Sequence, residues 1–226
     1  MPDILLINPN ASAASTAMMV GIAAASAPAG FAIAGGTAAS GPSMIVNESE
    51  LAAAAREVPH TWQRLRAQDG RGWAGIIVSA FGDPGIEALR ATAGVPVAGI
   101  CEASLLEAAA GGRRFGIATV TPELTALIRQ RVDELGLGAL YTGIRLTPGA
   151  PRELAADPQA LQRELARAVN RCIEDDGAEA VVIGGGPLAQ AAGQLQAQYG
   201  VPIIEPIPAA VRQLAAMLEA LEAAGR

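Results

Sequence analysis

The chain has 226 residues, is 51% hydrophobic but only 3% aromatic, and carries a formal charge of −6 and two cysteines. That balance offers no basic surface for nucleic-acid phosphates, and two thiols are too few for a disulfide framework in a chain this long. No uninterrupted apolar run reaches the length of a membrane span and the opening residues lack the basic segment of a secretory signal, so a cytoplasmic protein with no membrane or nucleic-acid partner is expected.

Asp3 to Ile7 (DILLI) is an apolar run of the kind found in buried strands. Asn8-Pro9-Asn10-Ala11-Ser12 follows as a turn, with Ser12 or Ser15 as cap of a helix over 16–26. Phe31 to Gly35 reads as a second strand, and 36–47 as a loop long enough to cover a cleft. A long helix over 48–68 has Asn47 as its cap. Ile76 to Val78 ends a third strand, and Ser79 to Gly85 (SAFGDPG) is dense in small residues and turn formers. Asp83 and Pro84 suit the cap and first turn of a helix over 84–92. Val95 to Ile100 is a fourth strand, and 102–110 a helix ended by Gly111-Gly112. Phe115 to Val120 is the next strand, Thr121-Pro122 opens a helix to about Leu135, and Leu140 to Leu146 is again a strand. Asp157-Pro158 starts a helix to about Asp175. Ala180 to Ile183 runs into the glycine-rich turn Gly184-Gly185-Gly186-Pro187. Val201 to Glu205 is the last strand, and 209–224 the final amphipathic helix.

Strands alternating with helices imply crossovers and parallel sheets. The chain also repeats itself: WAGIIVSAFGDPGIEALRATAGVPVAGI over 73–100 and AEAVVIGGGPLAQAAGQLQAQYGVPIIEPI over 178–207 both give strand, small-residue turn, alanine-rich helix, Gly-Val-Pro and strand. The expected fold is therefore α/β, with two pseudo-symmetric doubly wound domains of roughly four parallel strands each. Residues 1–98 plus 207–226 would form one half and 99–206 the other. A ligand would lie in the cleft between them, at the C-terminal ends of the strands.

INPNAS at the start, SAFGDPG in the middle, GI-x-EAS after the fourth strand, TVT, and IGGGP near the end together resemble the aspartate/glutamate/hydantoin racemase superfamily, in particular its hydantoin and allantoin racemase branch. The resemblance spans nearly the whole chain in order. It implies cofactor-independent inversion of an acidic carbon, a small amino-acid, carboxylate or hydantoin-like substrate, and a homo-oligomer. In that family one cysteine from each half faces the substrate; one thiolate removes the proton and the other thiol returns it. The two cysteine positions align here to Ala80 and Gly185, neither of which carries a proton. The single cysteine of arylmalonate decarboxylase relatives, at the second turn, is missing too. Fold is thus inherited more directly than reaction.

Ser79, beside the first position, and Cys101, directly after the fourth strand, are the candidates for a replacement acid or base. A lone hydroxyl needs an activating partner, and the structural alternatives are a hydrogen-bonded turn serine and a small buried thiol. By resemblance, Asn8, Asn10, Thr119 and Thr121 hold substrate oxygens, although turn and cap chemistry would explain the same residues. Ala80, Phe81 and Pro187 would line the pocket, with Gly185 and Gly186 offering backbone N–H groups to an oxyanion. Glu102 and Glu205, closing equivalent strands, form a further acid–base option. Cys172 reads as packing and His60 as surface. No cluster has metal-ligand spacing, so no metal or cofactor is expected. Isomerase, lyase or hydrolase, and catalytically silent binder all remain open on these residues.

Overall fold

The computed structural model describes residues 3–70 and 72–225, apart from the side chains of Asp69, Pro187, Ala189 and Gln190. It contains two four-stranded parallel sheets. The first comprises β1 (Asp3–Asn8), β2 (Ala32–Thr37), β3 (Trp73–Val78) and β4 (Val97–Gly99), in the order β2-β1-β3-β4. The second comprises β5 (Phe115–Thr119), β6 (Tyr141–Leu146), β7 (Ala180–Ile183) and β8 (Ile203–Ile204), in the order β6-β5-β7-β8. All pairings are parallel. The orders superimpose term by term, so β1 corresponds to β5 and β3 to β7, as the internal repeat predicts.

The helices are α1 (Ala13–Ser26), α2 (Glu48–Asp69), α3 (Ile86–Ala93), α4 (Ile100–Ala109), α5 (Thr125–Glu134), α6 (Pro151–Ala155), α7 (Pro158–Glu174), α8 (Ala189–Gln196) and α9 (Pro206–Ala224). The period-2 alternation of strand side chains distributes them between the two faces of each sheet. Leu5, Ile7, Ile76 and Val78 turn outward onto Val58 and Trp62 of α2 and Leu89 of α3. Ala118, Val181 and Ile183 turn outward onto Leu161, Leu165 and Val169 of α7. Ile4, Leu6 and Ile77 of the first sheet and Phe115, Ile117 and Val182 of the second turn inward. They share one core with Ile100 and Leu105 of α4 and Val211 and Leu214 of α9. The two halves are thus joined by a continuous apolar interior.

Caps follow the chemistry of the sequence. Ser12 Oγ accepts from Ser15 N–H, Asn47 Oδ1 from Glu50 N–H, and Asp157 Oδ1 from Gln159 and Ala160 N–H. Two expectations need correction, and one helix adds to them. Thr121-Pro122 opens a short 3-10 turn over 122–124 before α5 begins at Thr125. Residues 151–155 form the additional helix, α6, behind Pro151, whose missing N–H costs nothing in a first turn. Asp83 does not cap the helix that follows it. Gly85, in the left-handed conformation, precedes α3, and the Asp83 carboxylate reaches across to the start of α4.

That reach depends on Gly99. A Cβ at this position would fall on the Asp83 carboxyl group. We expect Gly99→Ala to lower stability by roughly 1–3 kcal/mol, as overpacking of a filled interior does, measured by urea denaturation. An unchanged midpoint would show that the carboxylate has room to move.

Candidate active site between the two sheets

The ends of the central strands of both sheets meet at one cavity of about 40 Å³. Its walls include Ser79, Ala80 and Phe81 after β3, and Gly184, Gly185 and Gly186 after β7. Ala80 and Gly185 occupy the same place in their halves, each two residues past its strand. The turns are in contact: a Cβ on Gly184 would stand 3.3 Å from Phe81 Cε1, and one on Gly186 would stand 3.3 Å from the Ser79 carbonyl oxygen. Glycine at these points lets the second turn lie directly on the first. Met44 and Ile45, from the loop between β2 and α2, close another wall, and Val120, Leu124 and Leu188 complete the apolar lining.

The repeat extends to the polar residues. Asn8 and Thr119 end β1 and β5, fully buried, and Asn10 and Thr121 stand two residues later on the cavity wall. Asn8 Nδ2 donates to Asn10 Oδ1 (2.8 Å) and Thr16 Oγ1 (2.9 Å). Thr119 Oγ1 donates to the Gly184 carbonyl at 2.6 Å and lies 3.3 Å from Thr121 Oγ1. Because its proton is committed to Gly184, Thr121 is the donor between the two hydroxyls, which leaves Thr121 with lone pairs for an incoming N–H. Asn10 Oδ1 is taken by Asn8 and by Ser12 N–H (2.9 Å), which leaves its Nδ2 as a donor. One residue of each pair therefore supports its neighbour from beneath. Asn10, Ser79, Ala80, Phe81, Thr121, Gly185 and Gly186 come together as expected, whereas Asn8 and Thr119 do not reach the cavity. Pro187, expected in the lining, has a side chain outside the described residues.

Among the described residues, no ionisable side chain lines the cavity. The Ser79 hydroxyl donates to Met19 Sδ at 3.1 Å and has no basic partner. The N–H groups of Ala80, Phe81, Gly186 and Thr121 have no acceptor among the described residues, so the cavity presents donors suited to a carbonyl oxygen or oxyanion. Cys101, expected to face the cleft, is instead fully buried in the shared core, where burial pushes its thiol well above the usual range and the neighbouring Asp83 adds to the shift. β4, which precedes it, is an edge strand, so its end is displaced from the point where β1 and β3 diverge. Glu102 and Glu205 follow the edge strands β4 and β8, and neither lines the cavity. Glu102 is bound to Arg90 (3.0 Å) and to Arg131, away from the cavity. Cys172 packs beneath β5 with its thiol pushed up to about 12 by burial, and His60 is exposed on α2.

A second feature had no clear signal in the sequence. Asp83, at φ 49°, is buried behind the first turn. Its Oδ1 accepts from Cys101 N–H (2.8 Å) and its Oδ2 from Glu102 N–H (2.7 Å), with Arg131 Nε of α5 4.0 Å away. Burial pushes this carboxyl up to about 7 against the opposing pull of the two N–H donors and the guanidinium. Only the reading of Asp83 as a cap pointed here, and it pointed to the wrong helix.

A family model described as Asp/Glu/Hydantoin racemase matches residues 4–214. The hydantoin racemase of Rhizobium meliloti is 30% identical over 217 residues, which covers 96% of this chain and 89% of that protein. The hydantoin racemase of Pseudomonas sp. strain NS671 is 30% identical over 155 residues, 69% of this chain and 62% of its own length. The solved structure of allantoin racemase from Klebsiella pneumoniae superimposes with a TM-score of 0.87 at 32% identity, covering 100% of this chain and 89% of that one. Arylmalonate decarboxylase, at 20% identity and a TM-score of 0.62, shares the fold. With its duplicated sheets and its two turns meeting at one cavity, this chain belongs to the Asp/Glu/hydantoin racemase family.

Proposed function

We propose that this chain binds a small, uncharged cyclic amide or imide of the hydantoin type, and that it does not run a two-sided proton transfer on it. The observation that carries this reading is the cavity wall: donors from backbone N–H groups and Asn10, an acceptor at Thr121, apolar side chains elsewhere, and no ionisable group among the described residues. An amino-acid zwitterion or a dicarboxylate would lose its hydration there without a counter-charge, which is costly. A ring carbonyl and ring N–H find partners. With alanine at 80 and glycine at 185, neither face of the ring meets a proton carrier at those positions, and the Ser79 hydroxyl lacks a base to activate it. The unpaired N–H donors also favour a second reading, in which the same pocket stabilises an enolate during a one-sided step such as decarboxylation.

The test pairs thermal unfolding with proton nuclear magnetic resonance in deuterium oxide. At ten times its Kd, a hydantoin should stabilise the native state by about 1.4 kcal/mol, or about 3–6 °C for a chain of this size, with no loss of its C5 proton above the buffer rate. Matched amino acids should give no shift. Stabilisation by amino acids alone, or C5 exchange by the unmodified protein, would overturn the reading. Carbon dioxide release from an arylmalonate would favour the second.

A further inference from the structure

The cavity is walled on four sides, and one of those walls is built differently from the others. Three walls are strand ends and the turns that follow them. The fourth is the loop over 38–47, which contributes Met44 and Ile45 and has no regular secondary structure. Its attachments are few. Within the first half, Ala38 N–H donates to the Asn8 carbonyl (3.0 Å), Ala11 N–H to the Pro42 carbonyl (3.0 Å) and Val46 N–H to Glu50 Oε2 (2.8 Å), while Asn47 Oδ1 accepts from Glu50 N–H (2.9 Å). Across the cleft, among the described residues, a single side chain holds it by hydrogen bonds. Arg152 Nη2, on α6 of the second half, donates one proton to the Met44 carbonyl (3.1 Å) and the other to Glu50 Oε1 (2.7 Å). The Met44 side chain rests against the apolar cluster of the second half. Gly41, at φ 119° with open space around it, gives the loop a pivot.

We propose that residues 38–47 form a lid over the cavity and that Arg152 is its latch, a positioning residue that touches no ligand but sets how often the cavity opens. This goes beyond the assignment of a ligand and does not depend on it. Arg152 and Glu50 keep their ion pair partly exposed, with side-chain exposures of 49% and 22%. Such a pair is weak and sensitive to salt, which suits an element that must release on each binding event.

A test independent of ligand identity uses a thiol reporter inside the cavity. Ala80→Cys places a thiol on the wall, while Cys101 and Cys172, both fully buried, give little background. The rate of alkylation by iodoacetamide then reads lid opening. Adding Arg152→Ala should raise that rate about five- to tenfold, and Glu50→Gln should raise it by a smaller factor. Arg152→Lys, which keeps the charge but not the fixed fork of donors, should fall between. Raising sodium chloride from about 0.05 to 0.5 M should accelerate the Ala80→Cys protein and leave the Arg152→Ala version unchanged. Rates equal within twofold across all these variants and salts would overturn the lid, whether or not a hydantoin binds. Because Arg152 is half exposed, its loss is not expected to impair folding, and circular dichroism of each variant checks this.

Discussion

Ala80→Cys and Gly185→Cys introduced together with Leu188→Ala are expected to give C5-proton exchange and inversion of a 5-substituted hydantoin, where the unmodified chain gives neither. Both positions sit on the wall of one cavity, two residues past equivalent strands, so a thiol from each half would approach the ligand. Leu188 must be reduced because a Cβ on Gly185 would stand 2.9 Å from Leu188 Cγ and 3.0 Å from its Cδ1. Neighbouring N–H donors would hold a thiolate below its ordinary range. A positioned general acid or base contributes about 10²–10⁴-fold, so the triple variant should exceed the buffer rate by at least that factor. Each single cysteine should exchange one enantiomer without inverting it, since the proton returns to the face it left. Chiral chromatography with deuterium incorporation reads all three variants. A triple variant that folds and is stabilised by a hydantoin, yet exchanges nothing, would show that the two positions do not flank the ring.

The strands were legible because a strand buried on both faces must be apolar along its centre, and the ILLI of β1, WAGIIV and AVVI meet that condition. β2 was harder. It runs to Thr37 through Gly35 and Gly36, residues that disfavour strands, because α1 packs so closely that a Cβ on Gly35 would lie 2.8 Å from Thr16 Cγ2. No sequence pattern carries that contact. α9 begins at Pro206, three residues before the expected start at 209, with Pro206 and Pro208 both in its first turn, where missing N–H groups cost nothing.

For the site, the internal repeat was the informative signal. Two stretches that share strand, turn and helix must place their turns alike, and they do, around one cavity. Position along the chain misled where position in the sheet mattered. Cys101 stands two residues past β4 as Ala80 stands two past β3, but β4 lies at a sheet edge and β3 at the centre. The order of strands decides which ends meet the ligand, and a single sequence does not state that order. Asn8 and Thr119 were chosen with their neighbours two residues on, yet alternation puts one of each pair beneath the wall and the other on it.

Asp83→Asn is expected to change the pH dependence of stability in a direction opposite to that of an ordinary capping carboxylate. In the folded protein burial raises this carboxyl from 3.8 to about 7, even with Cys101 and Glu102 N–H donating to it and Arg131 beside it, while Glu102 adds a smaller upward push. Unfolded, it titrates near its usual value of about 3.9. Between those limits the unfolded chain has lost the proton and the native chain keeps it, so unfolding releases a proton and native stability falls as pH rises. The contribution is fully present below about pH 4, declines by up to about 1.4 kcal/mol per unit, and is lost above about pH 7, for a total of about 4 kcal/mol. Asparagine cannot titrate; it keeps one acceptor and turns an amide toward the second N–H, a loss of about 1–3 kcal/mol that does not vary with pH. Urea denaturation of both proteins at pH 5, 6, 7 and 8 should therefore show the unmodified chain's advantage shrinking from pH 5 to 7 and levelling off above. A difference that stays flat would mean that the N–H donors and Arg131 outweigh burial and keep Asp83 ionised. Asp83 N–H donates to the Ala80 carbonyl at 3.0 Å, so the same titration bears on the turn that forms the cavity wall, and hydantoin affinity in the unmodified chain should weaken over the same interval.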